Sequence, residues 1–192
     1  GFTLRYCSCH YVCIYHNLWG NTMRYRIDFS YDGTNFNGYQ IQPGLRTVQG
    51  ELEKAISYLN RHTATGVQSS GRTDKGVHAI NQVAHFDLNI DVKEYNLKKY
   101  LNNCFEGEIH VFSLEKVSDW FHSRYDVKSK IYSYYINMGE FSPVSRNYVY
   151  QLCEELDVSL MKSASLCLLG KHDFRSFCTD EKSKDNCVRT IY

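Results

Sequence analysis

The segment Ser70-Gly71-Arg72-Thr73-Asp74-Lys75-Gly76-Val77-His78 gathers a guanidinium, a hydroxyl, a carboxylate, an ammonium and an imidazole on one short, glycine-bounded stretch. A turn needs Gly, Asn or Asp for its backbone angles, but it has no need of an Arg two residues before an Asp. In extended backbone, residues two apart point to the same side. The chemistry this suggests is a reactive carboxylate, Asp74, with Arg72 as its partner.

Two other chemistries fit the same stretch less well. Gly71 and Gly76 have the spacing that opens a phosphate-binding loop, but Val77 and His78 stand where Lys and Ser/Thr must follow, so no nucleotide cofactor is expected. Asp74 and His78 are four apart, a spacing that shares a face only on a helix, and no second carboxylate is close in sequence. No metal is expected there.

Composition bounds the possibilities. The chain has 192 residues, 43% of them apolar and 22% charged, with a formal charge of +1. That is ordinary globular composition, enough for one domain or two small ones. A nucleic-acid site would have to be a local basic patch. Residues 1–22 hold a single charged residue, Arg5, so every acidic residue lies from Met23 onward. Tyr, His and Asn interrupt each apolar run of this stretch, which argues against a signal peptide. It is expected to be a disordered extension foreign to the domain, with Met23 as the natural start. Nothing approaches the length of apolar run that crosses a bilayer, so a cytoplasmic protein with no membrane partner is expected.

The eight cysteines do not form a staple framework. Cys7, Cys9 and Cys13, with His10 and His16, match no standard zinc spacing, although a zinc site there stays open as a weak alternative. Cys104, Cys153, Cys167, Cys178 and Cys187 read as small, reduced core side chains.

The elements that must position the charged loop follow from periodicity. Tyr25, Ile27, Phe29 and Tyr31 alternate as on a half-buried strand. After a Gly- and Asn-rich loop, Val48, Leu52, Ala55, Ile56 and Leu59 form the stripe of a helix, with Thr47 as N-cap. A short strand over about 64–70 leads into the charged loop. A further strand, Ala79 to Leu88, leaves it, with Ile80, Ala84, Phe86 and Leu88 on one face. Asp91 with Glu94 resembles a capping box for a helix carrying Leu97, Tyr100, Leu101 and Cys104. Glu108 to Lys116 alternates again. The order strand, helix, strand, strand, helix, strand implies an α+β, ferredoxin-like (βαββαβ) half over residues 23–117.

Residues 118–192 predict a second, related half: a long strand from Lys130 to Met138, and a helix capped by Asp157 with Leu160, Ala164, Cys167 and Leu168 buried. A strand-like run ends at Tyr192. The two halves are expected to share one mostly antiparallel sheet, and the second is expected to be cut short.

Gly71-Arg72-Thr73-Asp74, Gly76-Val77-His78-Ala79 and Gln82-Val83-Ala84-His85-Phe86 together resemble the active-site segment of TruA-type tRNA pseudouridine synthases. The resemblance extends to Tyr31-Asp32-Gly33-Thr34, to Phe121-His122-Ser123-Arg124 and to Leu168 through Phe177, in order from about Met23 onward. It implies isomerisation of uridine to pseudouridine in the anticodon stem-loop of tRNA, at positions 38–40, by a cofactor-free homodimer. Asp74 would be the nucleophile, attacking either the ribose or the uracil ring of a flipped-out nucleotide. Arg72 would fill the space the base vacates, and Tyr132 would stack on the uracil. A plain sheet tyrosine is the alternative for Tyr132. Arg124 would contact the RNA backbone, with Lys75, Lys128 and Lys130 as further contacts or a solvated basic face. His78 and His85 are expected to pack or hydrogen-bond rather than react. Lys75 and Glu106 depart from the small residue and the proline usual at those places in the family. The competing reading is a catalytically incomplete RNA-binding fragment.

Overall fold

A computed structural model describes residues 22–178 and 187–192. The expectations for residues 1–21, including disorder and the zinc alternative, lie outside these residues. The described chain falls into two compact units, divided between Ser133 and Tyr134.

The first unit is built around β1 (Met23–Tyr31). Its alternate residues Tyr25, Ile27 and Phe29 are fully buried and Tyr31 nearly so, as period-two patterning requires. β1 pairs antiparallel with β3 (Ala79–Leu88) on one side, Ile27 opposite Ala84, and with β4 (Ile109–Val117) on the other, Tyr31 opposite Ile109. The short β2 (Gln68–Ser69) pairs antiparallel with β3, giving the order β2-β3-β1-β4. The strand expected over 64–70 is thus reduced to its last turn-proximal residues.

Two helices complete the βαββαβ order. α1 (Val48–Leu59) buries Val48, Leu52, Ala55 and Ile56, and Thr47 caps it by accepting from the Gly50 N–H. α2 (Glu94–Cys104) buries Leu97 and Leu101. These side chains join Tyr25, Ile27, Phe29, Ala84, Phe86 and Leu88 in one core, and the Tyr100 hydroxyl donates to Ala55 O to tie the helices together.

Some local expectations are corrected. Lys93, not Asp91, occupies the N-cap of α2, and it makes no side-chain cap bond; Asp91 instead pairs with Lys116. Ile80 shares the parity of Ala84 but is exposed, because the ladder with β1 shifts register: Phe29 lies opposite Gln82 but Tyr31 opposite Ala79, so Ala79 packs against the core and Ile80 turns outward. Cys104, Cys153 and Cys167 are exposed rather than in a core, and among the described residues Cys187 is the only buried cysteine.

The second unit differs most. The strand expected from Lys130 to Met138 is limited to β5 (Ile136–Asn137), paired parallel with β6 (Tyr150–Gln151). A strand is held by its ladder and one buried face. Residues 130–134 have neither here, Tyr135 adds only a carbonyl that accepts from Tyr150 N–H, and Tyr132, Tyr134 and Tyr135 are exposed. The sheet expected to be shared is replaced by separate ones, the third being β7 (Gly170–Asp173) with β8 (Val188–Ile191). α3 (Val158–Ser165) is capped by Asp157 as expected, accepting from Leu160 N–H, but buries none of its residues.

Candidate active site

The charged loop joins β2 to β3 and rests against the loop that follows β1. Thr73 is held twice: its carbonyl accepts from Tyr39 N–H at 3.0 Å, and its hydroxyl lies 2.9 Å from that of Tyr31. Asp74 follows directly and opens a turn in which Val77 N–H donates to Asp74 O at 3.2 Å, while Gly76 N–H donates to Phe36 O at 3.3 Å. The approach is close because glycines face it. A Cβ on Gly33 would stand 2.0 Å from Val77 O, and one on Gly38, whose φ is +87°, would stand 2.9 Å from Thr73 O. Both glycines therefore serve main-chain contact.

The base of the loop is fixed from β3. Gln82, almost fully buried, accepts from the Ser70 hydroxyl at 2.6 Å and donates to Gly71 O at 3.0 Å. Ser69 Oγ also donates to Gly71 O, and Ser70 N–H donates to Val83 O. At the far end, Nδ1 of His78 lies 3.0 Å from both the Gly33 N–H and the Asp32 carboxylate. A neutral ring accepts from Gly33, whereas a ring protonated at Nδ1 pairs with Asp32.

Every anchor falls on backbone or on residues other than Asp74. Its carboxylate is exposed and, among the described residues, has no hydrogen-bond or ion-pair partner. Arg72 is exposed as well, and the expected Arg72–Asp74 ion pair is not formed; two solvated charges gain little from pairing. Lys130 is brought alongside, its Nζ 3.6 Å from where a Gly71 Cβ would stand. Tyr132 is exposed yet close enough to Tyr31 to act on it electrostatically. Burial, the larger cause, and the neighbouring Tyr132 phenol hold the Tyr31 hydroxyl above its usual pKa, against its hydrogen bonds with Thr73 and Gln82. Tyr31 thus stays protonated. Lys75, Arg124 and Lys128 are exposed.

The segment carrying Arg124 is fixed by a residue to which the sequence assigns packing or hydrogen bonding rather than reaction. His85, on β3 and 4% exposed, accepts from Ser123 N–H through Nδ1 at 3.2 Å and lies 2.9 Å from Ser123 Oγ. Ser123 Oγ in turn donates to Gln68 O on β2. Burial, then the Arg24 and His122 charges, push the His85 pKa down to about 4, so the ring is neutral. Arg24 grips the same region, donating twice to Asp87 and to the carbonyls of Asp119 and Phe121. No local signal showed these roles: His85 alternates with the core-facing Ala84 and Phe86, so parity puts it on the opposite face, and its cover comes from Phe121 and Ser123, distant in sequence.

An exposed carboxylate on a loop clamped by main-chain bonds, flanked by cations, is a nucleophile's setting, and the chain belongs to the tRNA pseudouridine synthase family, whose pattern it matches over residues 29–126. It is 44% identical over 170 residues to tRNA pseudouridine synthase A of Listeria monocytogenes, covering 88% of this chain and 68% of the relative. The corresponding enzymes of Oceanobacillus iheyensis and Limosilactobacillus reuteri are 42% and 43% identical over 171 residues, with 68% and 67% of their lengths covered.

Proposed function

We propose that this chain isomerises uridine to pseudouridine in tRNA, with Asp74 as the covalent nucleophile. The observation that carries this reading is the exposed, unpartnered Asp74 carboxylate on a loop locked through Thr73. A carboxylate that touches no other described protein group is free to attack, and a fixed backbone keeps it where a flipped nucleotide arrives. Attack falls on ribose C1′ or on the uracil ring. The uracil then separates, turns and rejoins ribose through C5, whose hydrogen is lost to solvent. Arg72 occupies the space left by the base, and Tyr132 supplies a stacking surface. Arg124, Lys75, Lys128 and Lys130 offer cations to the RNA backbone; the support for Lys130 is its place beside Gly71.

Similarity of the motifs to the family supports the finer parts of the proposal: positions 38–40 of the anticodon stem-loop, a homodimer, and action in the cytoplasm. No helix among the described residues is long and apolar enough to cross a membrane.

The test is tritium release from tRNA carrying uracil labelled at C5. Release by the wild-type chain and none by Asp74→Asn is the expected result. Undiminished release by Asp74→Asn would sink the nucleophile assignment. Tight tRNA binding without release by the wild type would favour an RNA-binding role alone.

A further inference from the structure

Two thiols far in sequence from Asp74 meet at the end of the β7–β8 hairpin. Asp173 pairs with Val188, and the ladder continues one step as Phe174 N–H donates to Cys187 O at 3.0 Å. A 3-10 turn, Arg175–Phe177, then folds the chain back, with Cys178 N–H donating to Arg175 O. This brings Cys178 Sγ to 3.3 Å from Cys187 Sγ. Cys178 Sγ also lies 3.7 Å from Phe174 O, and either thiol can donate to the other. That hydrogen bond, then burial, keeps the Cys187 thiol above its usual pKa. Cys187 is buried and Cys178 half-buried, so a reagent in solution meets Cys178 first.

We propose that Cys178 and Cys187 form an oxidisable dithiol that small-molecule disulfides convert to an intramolecular disulfide. The Cys178 thiolate attacks one sulfur of the disulfide, forming a mixed disulfide and releasing one thiol. The Cys187 thiolate then attacks Cys178 Sγ and releases the second. Each protein thiol gives up a proton, the protein loses an electron pair, and the disulfide gains it. The sulfurs must close from 3.3 Å to a bond of about 2.05 Å, a distance within reach of side-chain rotation. The cross-link would close the hairpin that carries Gly170-Lys171-His172-Asp173-Phe174-Arg175-Ser176-Phe177. Cys104, Cys153 and Cys167 are exposed and have no thiol partner among the described residues.

The experiment treats the full chain with oxidised glutathione in native buffer and, in parallel, in denaturant. Free thiols are then blocked with N-ethylmaleimide and the digest is mapped by mass spectrometry. Expected is a Cys178–Cys187 cross-linked peptide, lighter by the two thiol hydrogens, formed about tenfold or more faster in the native chain because folding raises the local thiol concentration. In Cys178→Ser, Cys187 should be recovered blocked. Equal rates with and without denaturant would overturn the proposal, since sequence proximity alone would then explain closure. A lasting glutathione adduct on Cys178 beside a blocked Cys187 would also overturn it, as would two blocked thiols under conditions that have modified Cys104.

Discussion

The hydroxyl of Tyr31, at the end of the central strand, lies 2.9 Å from the hydroxyl of Thr73, the residue before Asp74. It links a deeply buried strand of the first unit to the loop that carries an exposed carboxylate. Tyr31→Phe is expected to lower unfolding free energy by about 1 kcal/mol, the net value of one such bond, measured by urea denaturation. In the tritium-release assay kcat should fall with KM for tRNA little changed. Thr73→Val should do the same, and the double variant should add little to either single one.

Asp74→Asn should separate chemistry from folding. Because the carboxylate is exposed and unpartnered among the described residues, the substitution is expected to change stability by no more than about 0.5 kcal/mol while abolishing release. A large drop in thermal midpoint would show that Asp74 has a structural role as well.

The glycines facing the loop should be unequal. Gly33→Ala places a methyl 2.0 Å from Val77 O and is expected to cost about 3 kcal/mol or more, beyond ordinary overpacking because backbone must move. Gly38→Ala adds strain at φ +87° to a 2.9 Å contact, for about 2 kcal/mol. Gly66 has open space around it, so Gly66→Ala should be neutral or stabilise by up to about 1 kcal/mol. Thermal unfolding of the three variants checks the ranking.

His85 should make the fold acid-sensitive. Its folded pKa of about 4 lies below the ordinary 6.5. Above pH 6.5 both folded and unfolded chains hold it neutral and nothing is lost. Between 6.5 and 4 the unfolded chain binds a proton that the folded chain refuses, so stability falls as pH falls. Carboxylates titrate in the lower part of this window, so the quantity to follow is the difference between wild type and His85→Gln in urea midpoint. That difference should shrink or reverse on acidification; a constant difference would show that His85 protonates freely in the fold.

Much of the first unit was legible because its signals are local and agree with one another. The alternation of Tyr25, Ile27, Phe29 and Tyr31, the stripe from Val48 to Ile56 and the Thr47 cap each specify an element, and the elements share one core. Asp91 and Glu94 had cap spacing, but Lys116 offered Asp91 a full charge and the helix began at Glu94. Tyr132 and Tyr134 carry strand propensity without a ladder to express it, since pairing is a property of the partner as much as of the strand. At the site, spacing put Arg72 and Asp74 on one loop, but it could not show that their charges stay apart in solvent. Nor could it find the clamp through Tyr31, Gln82 and Gly33, whose partners are distant in sequence and mostly main chain.

The main-chain character of that clamp bears on how the loop can change over time. The side chain that follows Asp74 carries none of the loop's anchors, which fall on peptide groups of Thr73, Asp74 and Gly76 and on the Thr73 hydroxyl, so that one position is released from structural duty. Lys75, standing where the family usually has a small residue, is such a substitution: it is exposed and leaves the neighbouring tethers intact. Drift at this position can alter the charge offered to RNA without moving Asp74, while the burden of invariance shifts to glycines in another loop.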